Sequence, residues 1–147
     1  MTHRSVTPFK RWHLEWLLEE DQSAEGDVPK WPVELVYQME KMSTSWTLHA
    51  DGIPLGCGGF IPLWPGRHQA WMFVNKNAGP YMKWITKQVK DKIKQIDGRI
   101  EMTVRADFER GNKWAKILGF EVETQCLKHY GPYGEDHVGY VLLNGDM

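Results

Sequence analysis

The hydrophobic period of this chain changes several times, and each change marks an element. From Arg11 to Gln22 an apolar side of Leu14, Leu17 and Leu18 runs beside alternating aromatic and acidic positions, Trp12, Glu15, Trp16 and Glu19, which predicts a helix. A second helix is expected from Trp31 to Met42, with Pro32 in its first turn and Val33, Val36, Tyr37 and Met39 carrying the pattern. The period then drops to two. Trp46, Leu48 and Ala50 alternate with Thr47 and His49, and Asp51-Gly52 is a two-residue hairpin signal. The return strand, Ile53 to Phe60, carries Gly56, Gly58 and Gly59, which points to a bulge or a close backbone approach. Arg67 to Val74 has apolar residues on both sides, with Ala70, Met72 and Val74 on one and Trp71 and Phe73 on the other. That suits a central strand covered on both faces.

This strand enters a short polar loop, Asn75 to Gly79, and a long amphipathic helix leaves it at Pro80. Met82, Ile85, Val89, Ile93 and Ile96 form its apolar face, and Lys83, Lys87, Lys90 and Lys94 a basic one. Asp97-Gly98 closes the helix, and Ile100, Met102, Val104 and Ala106 alternate with Glu101, Thr103 and Arg105 as a strand. Phe108 to Leu118 reads as a helix stopped by Gly119, Glu121 to His129 as a strand, and His137 to Leu143 as the last strand after a Tyr130–Asp136 loop. A short first strand is expected from Ser5 to Phe9. The order is strand, helix, helix, three strands, helix, strand, helix, two strands. It predicts an α/β fold of three layers, a mixed sheet of about six to seven strands with helices on both faces, and a parallel crossover between Arg67 and Ala106.

Composition narrows the function less than the pattern narrows the fold. The 147 residues suit one domain, 1–147, and the net charge of −1 favours neither nucleic acid nor a membrane surface. The lysine face is the local exception; it is either solvated or a polyanion surface. No apolar run is long enough to span a bilayer, and residues 1–16 lack the apolar segment of a secretion signal. A cytoplasmic location is expected. Cys57 and Cys126 lie in strand-like surroundings and read as reduced core residues, and the histidines show no metal-ligand spacing. Eight tryptophans imply either an aromatic core or exposed binding surface.

The candidate chemistry gathers around Arg67–Ile96. A strand feeding a helix N-terminus leaves backbone N–H groups and a positive dipole end at the strand's edge, a natural place for phosphate. His68 lies on the same strand face as Met72 and Val74 and is either a satisfied histidine at a strand entrance or a base. Glu101 and Arg105 are either solvated or line the same cleft. Tyr130, Tyr133 and His137 surround the last hairpin, while His13, His49 and His129 have no partner legible in the sequence.

The element order resembles that of the GNAT acyltransferase superfamily, and two segments carry the likeness in residue detail. One is the Arg67–Ile96 strand, loop and helix, which falls where those enzymes bind acetyl-CoA. The other is Phe108–Glu121, which looks like the family's late helix ending in Gly119-Phe120. The resemblance implies a GNAT-like fold and acetyl-CoA as cosubstrate. On that basis Met72, Phe73, Val74, Asn75, Gly79, Tyr81, Met82, Asn112 and Lys113 would touch the cofactor, His68 would be the base, and Glu101, Arg105 and Tyr133 would line the acceptor site. The sequence also departs from the family. The pyrophosphate loop usually has an Arg or Gln followed by two glycines, whereas here Gly79 is the one loop glycine, and Met82 and Trp84 fall where the glycines are expected. Ala115 stands where many members carry a tyrosine acid, and Phe108 where they carry an asparagine.

Two functions compete at this point. The first is an acetyl-CoA-dependent N-acetyltransferase in which an amine, on a small molecule or a protein, attacks the thioester directly in a ternary complex. The second is a non-catalytic GNAT-like protein acting through protein contacts, similar to small bacteriophage proteins of the virion or host cytoplasm. Nucleic-acid binding through the lysine face ranks last. A last strand exposed at a sheet edge would allow a homodimer.

Overall fold

A computed structural model describes residues 3–19, 22–25 and 33–145. The expected helix start at Trp31-Pro32 and the end of the loop at Gly26-Asp27 lie outside the described residues. The strands are β1 Arg4–Pro8, β2 Thr44–Ala50, β3 Ile53–Trp64, β4 Arg67–Val74, β5 Gly98–Arg105, β6 Glu121–Leu127 and β7 His137–Asn144. The helices are α1 Arg11–Glu19, α2 Val33–Met42, α3 Met82–Ile93 and α4 Glu109–Ile117, with a 3-10 turn over Gly79–Tyr81. The strands form one seven-stranded mixed sheet in the order β1-β2-β3-β4-β5-β7-β6. The chain divides into two compact units: Met1–Pro62 with Ala70–Ile85, and Leu63–Gln69 with Thr86–Met147.

In the first unit β1, β2 and β3 pair antiparallel, with a bulge between Leu48 and His49. Asp51 (φ 50°) and Gly52 (φ 79°) both adopt positive φ, as a tight hairpin turn of this kind requires. The core joins Phe9, Leu14 and Leu17 to Val36 and Met39 of α2, Cys57 of β3 and Phe73 of β4. Burying each of these side chains contributes roughly 1.5–3 kcal/mol. Trp71 meets Phe9 edge-on with ring centroids 5.0 Å apart, so the Trp71/Phe73 side of β4 faces α1 and α2. Gly58 shows why β3 is glycine-rich. A Cβ there would lie 2.6 Å from both Met72 Sδ and the Trp71 carbonyl oxygen, so the glycine makes room for β4 and for the methionine that leans across it.

The simple alternation expected of β2 does not hold, because Thr47 and His49 on its polar side are buried as well. They are covered by α1, and their polar atoms are paired there. Lys10 N–H donates to His13 Nδ1 (3.1 Å), and Thr47 Oγ1 lies 2.7 Å from the same nitrogen. Thr7 Oγ1 lies 2.9 Å from His49 Nε2.

In the second unit β5 pairs parallel with the start of β4, Arg67 opposite Arg99, His68 opposite Ile100 and Gln69 opposite Glu101. It pairs antiparallel with β7 from Gly98 opposite Asn144 to Arg105 opposite His137. Gly98 has φ +102°, and a Cβ on it would collide with the Gly66 carbonyl, whose oxygen accepts the Arg99 N–H at 2.8 Å. Gly119, at φ +104°, ends α4 as expected.

Three expectations are corrected. The last strand is not an edge: β7 lies between β5 and β6, so the edges are β1 and β6, and the premise of dimerisation through the last strand falls. Cys126 is exposed because it sits on edge strand β6, whereas Cys57 is fully buried. The return strand β3 continues to Trp64, well beyond Phe60. Among the tryptophans, Trp12 and Trp64 are exposed, while Trp16, Trp46, Trp71, Trp84 and Trp114 are half-buried.

Candidate functional site

The first unit holds Met72, Phe73, Val74, Asn75, Gly79, Tyr81 and Met82 in a continuous run from β4 to the start of α3. Asn75, buried at the end of β4, organises this entry. Its Nδ2 donates to the Pro54 carbonyl (3.0 Å), and its Oδ1 accepts the Asn77 N–H (2.8 Å). The backbone donors are spent in turn: Asn75 N on Leu55 O, Lys76 N on Gln22 O, Ala78 N on Asn75 O, Tyr81 N on Ala78 O and Met82 N on Gly79 O. The loop that would cradle a pyrophosphate therefore uses most of its N–H groups internally. Gly79 itself is open, with nothing within 4 Å of where a Cβ would stand.

His68, Glu101, Arg105, Asn112, Lys113 and Tyr133 belong to the second unit. Residues directly opposite in a ladder share a face. His68 is paired with Ile100 and Gln69 with Glu101, so His68 and Glu101 point to opposite faces of the sheet. Arg105 shares the Glu101 face, which separates His68 from both residues expected to line its cleft. His68 Nδ1 is buried and has no hydrogen-bond partner among the described residues.

Glu101 is held in a row of charges. Arg67 Nε and Nη2 donate to its two oxygens at 2.9 and 2.8 Å, Arg99 Nε donates to Oε2, and Arg99 also grips both oxygens of Glu123. Trp64 lies over the Arg67 guanidinium, 4.6 Å from its ring centroid. The Arg67 hydrogen bonds, and then those of Arg99, hold the Glu101 carboxyl below its usual range. Asn112 is equally committed. Its Nδ2 donates to the carbonyls of Arg105 (3.0 Å) and Phe108 (2.8 Å), and its Oδ1 accepts the Tyr140 hydroxyl (2.6 Å). Lys113 is exposed, and Trp114 Nε1 donates to Thr86 Oγ1 at 2.9 Å.

The other end of the Glu101 face is less committed. Thr103 and Arg105 of β5 stand opposite Gly139 and His137 of β7. Thr103 Oγ1 lies 3.1 Å from His137 Nδ1. His137 Nε2 is buried, has no hydrogen-bond partner among the described residues, and stands 3.6 Å from Glu135 Oε1. The ring of Tyr130 lies 5.2 Å from that of His137. Arg105 Nε donates to Asp107 Oδ1 at 2.6 Å. The loop before β7 is pinned: Gly131 N–H donates to Glu135 O (3.0 Å), Gly134 N–H to Gly131 O (2.9 Å), and His129 N–H to Asp136 Oδ1 (3.1 Å). Glu135 packs over Gly131, where any Cβ would strike its carboxylate, and accepts the Tyr133 N–H at 2.9 Å. Its own backbone N–H, and then that of Tyr133, keep the carboxyl below its ordinary range. Tyr133 is exposed beside it. The sequence pointed to Tyr130, Tyr133 and His137 as a group, but not to Thr103 or Glu135. Thr103 reaches His137 only because β7 pairs with β5, a pairing that local periodicity does not reveal.

Among the described residues no group of His, Cys, Asp and Glu is placed to hold a metal ion, and no helix is long and apolar enough to cross a membrane. No family model and no curated protein matches the sequence. Solved structures do match. The ribosomal-protein-S18-alanine N-acetyltransferase from Escherichia coli superposes with a TM-score of 0.76 at 12% identity, covering 99% of this chain and 97% of its own. YncA from Salmonella typhimurium, solved with its cofactor acetyl-CoA, gives 0.69 at 10% identity over 98% and 95%. The spermidine N-acetyltransferase SpeG from Vibrio cholerae gives 0.65 at 12% identity over 95% and 93%. At such identities the likeness is one of architecture, and this chain has the three-layer α/β fold of the GNAT acetyltransferases.

Proposed function

We propose that the chain is an N-acetyltransferase that moves the acetyl group of acetyl-CoA to a primary amine by direct attack in a ternary complex, with 1–147 acting as one domain. The observation that carries this reading is the match of the whole element order and sheet to acetyltransferases over nearly the full length of both chains. The acceptors named for the neighbours, a ribosomal-protein alanine and spermidine, are both amines. An ammonium must lose a proton before it attacks a thioester, and a neutral imidazole near pH 7 suits that task. His68 and His137 each keep a buried ring nitrogen without a hydrogen-bond partner among the described residues. The run from Met72 to Met82 is the proposed cofactor strip.

One observation favours a second reading, a GNAT-like chain that works through protein contacts. The donors of Asn75, Lys76, Asn77, Ala78, Tyr81 and Met82 are already used within the protein. A pyrophosphate would have to displace some of them, at about 1 kcal/mol net for each bond exchanged. Calorimetric titration with acetyl-CoA, with CoA as comparison, decides between the two. Micromolar binding of acetyl-CoA is the expected result. No heat and no thermal stabilisation at millimolar ligand would overturn the enzyme reading and leave the second.

A further inference from the structure

We propose that the acceptor amine docks in the corner formed by Glu135, His137 and Tyr130, and that His137 Nε2 takes its proton. The inference rests on the acetyl-transfer reading for the proton step and on the corner's own geometry for the docking.

The Glu101–Arg105 face of the second unit is charged along its length, but its charges differ in commitment. Glu101 and Glu123 are bound by arginines on both sides. Glu135 has no arginine: its Oε2 accepts a backbone N–H, and its Oε1 stands 3.6 Å from His137 Nε2. An interval of that length between two groups is too wide for a good hydrogen bond, and one ammonium hydrogen-bonding to both would close it. The side chain of His137 is 16% exposed, so its free nitrogen is shielded from bulk water yet within reach of the surface. Tyr130 sets a ring 5.2 Å from the imidazole, and Tyr133 stands exposed beside it; an aromatic face next to a carboxylate is an established environment for an ammonium.

The ring is also oriented. With Nδ1–H donated to Thr103 Oγ1 at 3.1 Å, the lone pair lies on Nε2 and faces Glu135. Glu135 is itself fixed, because it packs on Gly131 and is held by the Tyr133 N–H. Its negative charge stabilises the imidazolium that forms. The step balances as follows. R–NH3+ gives one proton to Nε2. The freed amine lone pair attacks the thioester carbonyl, the N–C bond forms and the C–S bond breaks. The electron pair leaves on the CoA sulfur, which takes the second proton lost from nitrogen. The imidazolium returns its proton to water. Arg105, tied to Asp107 at 2.6 Å, keeps a cation close to the mouth of the corner without its charge being uncompensated.

The test has two arms that fail separately. In the first, the His137 ring proton signals are followed by NMR during titration of the full chain with spermidine and with an alanine-starting hexapeptide. A saturable shift with either probe is expected, and the two probes separate a polyamine acceptor from a protein N-terminus. Glu135→Gln should weaken that binding about tenfold, and His137→Asn should remain folded, since the amide can still meet Thr103. In the second arm, turnover is measured with acetyl-CoA. His137→Asn should lose 10²-fold or more in kcat with KM for acetyl-CoA unchanged, and its rate should rise with pH where the wild type is flat. A wild-type chain that binds acetyl-CoA but whose His137 signals ignore both amines overturns the corner and leaves acetyl transfer standing. Amine binding without any acetyl-CoA binding overturns the proton-transfer role and the enzyme reading, while the amine site remains.

Discussion

His13 Nδ1 and Thr47 Oγ1 meet 2.7 Å apart in the interior of the first unit, and the imidazole there is built to be neutral. The Lys10 N–H points at the same nitrogen, so Nδ1 carries the lone pair and the Thr47 hydroxyl donates to it. Burial is the largest cause that depresses the ring, and His49, with its centroid 5.1 Å away, is the next; together they bring it to about 4. Burial lowers His49 as well. A folded-state value below the unfolded one means that the unfolded chain binds more protons at mildly acidic pH. This contribution is present in full above the unfolded value of 6.5 and is lost as pH falls toward about 4. Urea melts at pH 7.5 and 4.5 should therefore differ by up to ~3 kcal/mol from His13. A His13→Leu variant that kept the same pH dependence would remove the assignment.

Asn112 and Tyr140 should behave as one unit. The Tyr140 hydroxyl is buried and donates to Asn112 Oδ1, while Nδ2 ties the start of α4 to the end of β5 through Arg105 O and Phe108 O. Asn112→Ala leaves a buried hydroxyl and two carbonyls without this partner and should cost roughly 2–4 kcal/mol. Tyr140→Phe removes only one partner, and the double variant should cost less than the sum, which denaturant melts can measure. If Asn112 were instead a cofactor residue, Asn112→Ala would lower acetyl-CoA affinity with little change in stability.

Glu101 was expected to touch substrate, and the structure surrounds it with Arg67 and Arg99. Glu101→Gln should reduce stability by about 1 kcal/mol at low salt and by less in 1 M salt, because the row is partly exposed. Its carboxyl is depressed, so its contribution is present above the ordinary carboxylate range near 4.5 and disappears on acidification below it. That window lies below most of the His13 window, so a pH series in each variant separates the two. Turnover of Glu101→Gln should remain within threefold of wild type in an acetyl-transfer assay.

The elements were legible in the sequence and much of the site was not, for one physical reason. Asp51-Gly52, the β4 pattern Arg67–Val74, the α3 stripe and the Gly119 stop are local signals, and each reappears within a residue or two. Strand neighbours are not local. Only the order β5-β7-β6 brings Thr103 to His137 and takes the last strand away from the edge. Face parity is decided the same way: His68 and Glu101 are separated by a ladder register that no period in either strand encodes. The buried pair His13 and His49 was missed because β2 alternates as if one side were solvated, while α1 covers that side.

Two glycines of similar backbone conformation give a sharp test of the second unit's turn. Gly52 (φ +79°) and Gly98 (φ +102°) both sit where a side chain is strained. Around Gly52 nothing lies within 4 Å of a new Cβ, so Gly52→Ala should cost only the left-handed penalty, roughly 1–2 kcal/mol. At Gly98 the same Cβ runs into the Gly66 carbonyl, which is backbone and is held by the Arg99 N–H. Gly98→Ala must therefore either break that bond or move the start of β5, where Arg99 opposes Arg67 and Leu143. The cost should exceed that of Gly52→Ala by about 1–3 kcal/mol, the usual range for forcing a group into filled space. Amide exchange should show the loss at Arg99 and Ile100 first. Equal costs for the two variants would mean that the Gly66–Gly98 contact is not what fixes the parallel ladder.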